Sequence, residues 1–132
     1  MTYRVLADAL VVFHIAFVVF AVAGALLAFR WRWIVLLHLP VLAWAALVEF
    51  NGWTCPLTPW ENALRAAGGE AGYSGGFIEH YLLPVLYPAD LTRSLQWTLA
   101  TALVAFNAIV YGLLWRRRTV EHRRHPRPRE SR

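Results

Sequence analysis

Residues Ala9 to Phe29 run for twenty-one positions without a formally charged side chain. The hydrocarbon core of a bilayer requires about 20 apolar residues of helix, and few soluble domains have a place for a stretch so uniform. Two more stretches compare with it. Trp33–Phe50 is interrupted by His38, Pro40 and Glu49, and Leu95–Trp115 has Gln96 and Asn107 as its strongly polar members. Backbone amides cannot stay unpaired in lipid, so each stretch has to be helical. The composition points the same way: 58% of residues are apolar and 16% charged, against roughly 45–50% and 25% in soluble domains. At 132 residues, with seven Trp, five Tyr and seven Phe, a single water-soluble unit could not hide its apolar surface. A soluble enzyme is therefore excluded. So are a disordered chain and a disulfide framework, because one cysteine closes no intrachain bridge.

The charge is unevenly placed. All thirteen basic residues are arginine, and eight of them fall in 116–132, while residues 1–115 hold five arginines against six acids. A basic tail can bind nucleic acid. Beside an apolar span it reads instead as an anchor on anionic cytoplasmic headgroups, and no nucleic-acid partner is expected. The connection Arg30-Trp31-Arg32-Trp33 is also basic, whereas 51–94 carries Arg65 and Arg93 against Glu61, Glu70, Glu79 and Asp90. Arginine excess marks the cytoplasmic side. An odd number of spans puts both basic regions there, with the N-terminus outside and the acidic connection facing outward. Tyr3, Trp53 and Trp97 outside, and Trp31, Trp33 and Trp115 inside, would form the interfacial belts. Ala21-Val22-Ala23 resembles a signal-peptidase site, but the apolar stretch continues to Phe29 and Asp8 stands where a basic flank is expected.

The expected architecture is all-α: a transmembrane bundle of three spans plus two short extracytoplasmic or interfacial helices. The spans are about 7–29, 33–50 and 92–115, and the short helices about 59–67 and 77–86, within one transmembrane domain, 1–117. A basic, disordered cytoplasmic tail, 118–132, follows. The first short helix has Thr58 as N-cap, Pro59 at the first helical position, Glu61 closing a capping box, and Gly68-Gly69 as C-cap. The second stops or kinks at Pro84. Even carried on to Tyr87, the eleven residues from Phe77 span only about 16 Å, so it lies on the membrane or dips into it. Counting it as a fourth span is the alternative topology.

The strings Glu49-Phe50-Asn51-Gly52-Trp53-Thr54-Cys55-Pro56-Leu57-Thr58-Pro59-Trp60-Glu61-Asn62 and Gly72-Tyr73-Ser74-Gly75-Gly76-Phe77-Ile78-Glu79-His80-Tyr81-Leu82-Leu83-Pro84, with His38-Leu39-Pro40 and Tyr87-Pro88, resemble the bacterial membrane family known as domain of unknown function 2784. The resemblance covers roughly residues 2–117. It implies a small multi-span inner-membrane protein and carries no catalytic residues over.

Polar side chains within the spans are the candidate site, since lipid penalises them and they should face protein or a wet cavity. These are His14, His38, Glu49 and Asn107, with Cys55, Glu79 and His80 on the outer connection. His38 and Glu49, eleven residues apart, share a helix face with Leu42 and Ala45. A deep layer pairs His38 with Asn107. A shallow one gathers Glu49 and His14 with Asp8, Cys55, Glu79 or His80. Small pairs four apart, Ala21/Ala25, Gly24/Ala28 and Ala108/Gly112, mark helix contacts.

These residue types allow several chemistries. His14, Glu49 and His80 could ligate zinc, with Cys55 and Glu79 near, though the spacing is not that of a metal motif. Bis-histidine haem would use His14 with His38 or, better, His80. Glu49, His14 and His38 could relay protons, and Cys55 with a histidine could act as a nucleophile. No cofactor is favoured over the simpler reading that the cluster fastens the outer helices to the bundle. The expected function is a non-enzymatic accessory, assembly or ligand-holding subunit of the bacterial inner membrane, contacting lipid, a membrane-protein partner or a second copy. The alternative is a metal- or haem-binding redox protein.

Overall fold

A computed structural model of the chain describes residues 1–74, 78–82 and 92–124. Among the described residues four α-helices follow one another: α1, Thr2–Leu27; α2, Ile34–Asn51; α3, Leu57–Ala67; and α4, Arg93–Arg124. A single π-helical turn, Ile78–Leu82, lies between α3 and α4. Three helices, α1, α2 and the Arg93–Val120 part of α4, are long and apolar enough to cross a membrane. No strand occurs among the described residues. The fold is thus an all-α bundle of three span-length helices with shorter elements on the connection between the second and third.

Burial is inverted relative to a water-soluble protein. The interior holds small and polar residues: Ala7, Ala21, Ala25, Ala28 and Ala100 with His14, His38 and Asn107. Leu36, Val12, Phe13, Ile109 and Trp115 are exposed. Lipid offers apolar side chains no reason to leave it, so close backbone approach through small residues supplies the attraction. On α1 and its C-cap the buried positions Ala7, His14, Ala21 and Ala28 recur every seven residues, and Ala100, Asn107 and Leu114 do the same on α4. That period keeps one seam facing the neighbouring helix. The α1 small pairs lie on this seam. Ala108 and Gly112 do not: both are exposed, and a Cβ on Gly112 would touch nothing. The heptad stripe, not the small pair, is the packing face of α4.

The helix ends carry a common device. The Arg93 guanidinium of α4 donates to the Phe50 carbonyl at the end of α2, at 2.7 Å. Arg118 donates to the Ala28 carbonyl after α1, at 3.3 Å, and Arg4 to the Gly68 carbonyl after α3, at 3.1 Å. Each places a cation from another helix on the carbonyl end that carries the negative pole of the dipole. Arg118 and the stacking of Arg117 over Phe29 also set the two basic regions at the same end of the bundle.

Some boundaries differ from expectation. α1 starts at Thr2 because Arg4 and Asp8, which would end an apolar run, find charged partners near α3. α4 continues to Arg124, so residues 118–124 of the segment read as a tail are helical. Extending an existing helix needs no new nucleus, and cations favour a helix C-terminus. Residues 125–132 lie outside the described residues, as does the expected second helix beyond Ile78–Leu82. The capping box does not form: α3 begins at Leu57, no side chain caps it, and Thr58 and Glu61 are buried. At the other end Gly69, at φ 75°, closes a Schellman turn in which Glu70 N–H meets the Arg65 carbonyl.

Candidate functional site

The polar residues collect in two places. The first is built on α3, whose periodicity sets Glu61 and Arg65 one turn apart on the face toward α1. The Glu61 side chain is 1% exposed. Its carboxylate accepts from Arg65 Nε at 2.9 Å, the Tyr73 hydroxyl at 2.8 Å and the Tyr81 hydroxyl at 2.8 Å. Arg65 reaches onward to Glu70 at 3.0 Å, the Tyr81 hydroxyl at 3.1 Å and Asp8 of α1 at 3.5 Å. Arg4 pairs with Glu70 at 3.2 Å. Asn62 ties the loop down through a reciprocal pair, donating to the Tyr73 carbonyl and accepting from its N–H. The His80 ring stacks on Tyr73 with centroids 3.9 Å apart, and Tyr81 meets both rings edge-on. Below them His14 of α1 is buried within electrostatic reach of Glu61.

The electrostatics follow from this arrangement. Burial, then the hydrogen bond to the Glu61 carboxylate, hold the Tyr73 and Tyr81 hydroxyls protonated well above the usual tyrosine range. Arg65 stays charged through the same carboxylate. Every oxygen of Glu61 is engaged by a donor, as a buried charge requires.

The second place is a layer where the three spans meet. His38 of α2 is fully buried, with Nε2 3.2 Å from the Ala21 carbonyl of α1 and Nδ1 2.7 Å from the Tyr111 hydroxyl of α4. A carbonyl only accepts, so Nε2 carries a proton, and Nδ1 shares a hydrogen bond with the Tyr111 hydroxyl. Asn107 donates to the same Ala21 carbonyl at 3.2 Å and to Leu103 within its own helix at 2.9 Å. Gly24 makes room for the ring: a Cβ there would overlap the His38 imidazole.

The sequence candidates therefore divide. His38 and Asn107 meet at one carbonyl, with Tyr111 as an unforeseen member. His14 and His80 flank the Glu61 network, and Asp8 joins it through Arg65 rather than through Glu49. Glu49 is half-buried, its Oε2 without a hydrogen-bond partner among the described residues. Cys55 is half-buried in the turn before α3, its carbonyl accepting the Thr58 N–H. The Glu79 side chain lies outside the described residues. Among the described residues no three His, Cys, Asp or Glu side chains are placed to hold a metal. The hub, Glu61, was read as a capping residue. The signal that could have found it is the Glu61/Arg65 spacing of four, an ion pair in a chain otherwise poor in charge.

Residues 4–112 match the family model described as Protein of Unknown function (DUF2784). No curated protein and no solved structure matches the chain.

Proposed function

Because the chain belongs to the DUF2784 family, whose description assigns no activity, we propose a role from the site itself: a small accessory, assembly or ligand-holding subunit that is not an enzyme. In this reading it sits in the bacterial cytoplasmic membrane with its N-terminus outside and its arginine-rich end in the cytoplasm. The observation that carries the reading is the saturation of Glu61 by Arg65, Tyr73 and Tyr81 at 2.8–2.9 Å. A carboxylate acting as general acid, general base or nucleophile needs an oxygen free to meet the substrate, whereas this one is committed to holding the loop onto α3 and α1. Such a network makes the outer end rigid, and a rigid surface loses little entropy when it meets lipid or a membrane-protein partner. The clustering of both basic regions at the opposite end supports the orientation.

Purification from native membranes in mild detergent tests this. The expected preparation carries a stoichiometric membrane protein or phospholipid that is lost from a Tyr73→Phe, Tyr81→Phe variant still inserted in the membrane. A Soret band or stoichiometric iron or zinc in the wild-type protein would overturn it in favour of a redox or metal-binding role.

A further inference from the structure

α3 is amphipathic in the wrong sense for a helix in water. Thr58, Glu61, Asn62 and Arg65 are buried or half-buried beside Leu57 and Leu64, with Arg65 reaching Asp8 of α1, while Pro59, Trp60, Ala63, Ala66 and Ala67 are exposed. A surface helix of a soluble protein turns its apolar stripe inward and its charges out. Reversal of that order is expected where the surroundings are hydrocarbon.

The level of α3 along the bundle agrees. The Ala21 carbonyl, His38 and Asn107 define one layer. Counting outward from it, Phe50 at the end of α2 lies about 18 Å away and Arg93 at the start of α4 about 21 Å. Asp8 on α1 is at the same height, about 20 Å. His14 is six residues short of Asp8, so it sits about 9 Å beneath the outer ends of α2 and α4. α3 runs antiparallel to α1: Gly68 meets Arg4, Arg65 meets Asp8, and Glu61 lies toward His14. Its C-terminus is therefore at the outer rim and its N-terminus below it. Residues 52–56 can cover that descent, since an extended chain reaches about 3.3 Å per residue. At this depth Trp60 is 63% exposed, as Val12, 66% exposed, and Phe13 are on α1.

We propose that α3 is a re-entrant helix: its N-terminus is sunk in the outer leaflet, its charged face is turned to α1, and its Trp60 face is laid against lipid acyl chains. The inference rests on the membrane-spanning reading and is independent of the accessory role. The Glu61 network is then the device that lets a charged helix face enter the bilayer, because each of its charges is paired before lipid closes round it. Depth increases along the helix from Ala67 to Ala63, one turn apart.

The test places a nitroxide label on the full chain in phosphatidylethanolamine and phosphatidylglycerol vesicles. In a Cys55→Ser background, Ala63→Cys and Ala67→Cys are compared with Val12→Cys as a lipid-facing position and Ala71→Cys as an aqueous one. The expected ratio of collisions with oxygen to collisions with a water-soluble nickel chelate approaches the Val12 value at position 63 and is lower at 67. Equal ratios at 63 and 67 would mean a helix lying flat, and overturn the proposal. So would an aqueous signature at both, or shielding from both reagents by protein. If Val12 itself reads as aqueous, it is the membrane reading that has failed. Should the labels disturb folding, the fluorescence lost in Trp60→Phe serves instead. Quenching of that component is expected to be stronger from lipids brominated along the acyl chain than from headgroup quenchers, and the reverse order overturns the proposal.

Discussion

Glu61 is the acceptor that Arg65, Tyr73 and Tyr81 share, so its loss is felt by three donors at once. Glu61→Leu removes the acceptor of two buried hydroxyls and leaves Arg65 to Glu70 and Asp8 alone, and should lower stability by about 1–3 kcal/mol. Glu61→Gln keeps one acceptor oxygen and should cost less; thermal unfolding in detergent reads both. The same network sets a pH response. The folded protein holds Tyr73 and Tyr81 protonated above the ordinary tyrosine range. Their contribution is fully present below the unfolded value of about 10 and is lost as pH rises toward the folded ones. Tyrosinate absorbance should therefore show a late component that is diminished in the Tyr73→Phe, Tyr81→Phe variant. In the deep layer Gly24→Ala forces a methyl against the His38 ring, and overpacking of this kind costs about 1–3 kcal/mol. His38 and Asn107 were legible in the sequence because polar residues inside an apolar run have no other explanation. Glu61 was not, because Thr58 and Pro59 before it offer a sufficient local reason for a glutamate. Its real partners, Tyr73 and Tyr81, are twelve and twenty residues away and approach only once the loop has folded back.

At the scale of the elements, the helices hold one another by their ends as well as their faces. Arg93 and Arg118 act at opposite ends of α4, on the carbonyl termini of α2 and α1. Neutralising one by Arg93→Gln or Arg118→Gln should lower stability by about 1 kcal/mol. Because the two sites share no partner, the double variant should equal the sum of the single ones to within about 0.5 kcal/mol. A markedly larger loss would show that α4 is seated by both contacts together. The spans themselves were readable from length and apolarity, which lipid imposes without reference to any partner. The packing face of α4 was harder to read: Ala108 and Gly112 form an attractive small pair, yet the seam that fits α1 and α2 is Ala100, Asn107 and Leu114. A pair four apart specifies one contact, while a seven-residue stripe keeps a long helix aligned along its length. The direction in which α3 faces was equally hidden, since one amphipathic pattern serves a helix on water and, turned over, a helix in lipid.

At the scale of the whole molecule, orientation has to come from charge, because the interior itself is indifferent to which way the bundle threads. The connection between α1 and α2 and the start of the basic end of α4 stand together, with Arg117 over Phe29 and Arg118 on the Ala28 carbonyl. Arg30, Arg32, Arg116 and Arg117 have no hydrogen bond to backbone among the described residues, so removing their charge tests orientation with little cost to the fold. In the quadruple Gln variant, with Arg118 kept for its contact to Ala28, a protease-sensitive C-terminal tag should become cleavable from outside intact cells in part of the population. In the wild type it should be protected. If the tag stays protected in both, orientation is fixed elsewhere, and the acidic connection between α2 and α4, where Glu61 and Glu70 are already neutralised by Arg65 and Arg4, becomes the segment to alter next. An exposed tag in the wild type would instead reverse the bundle, and the Glu61 network would then face the cytoplasm.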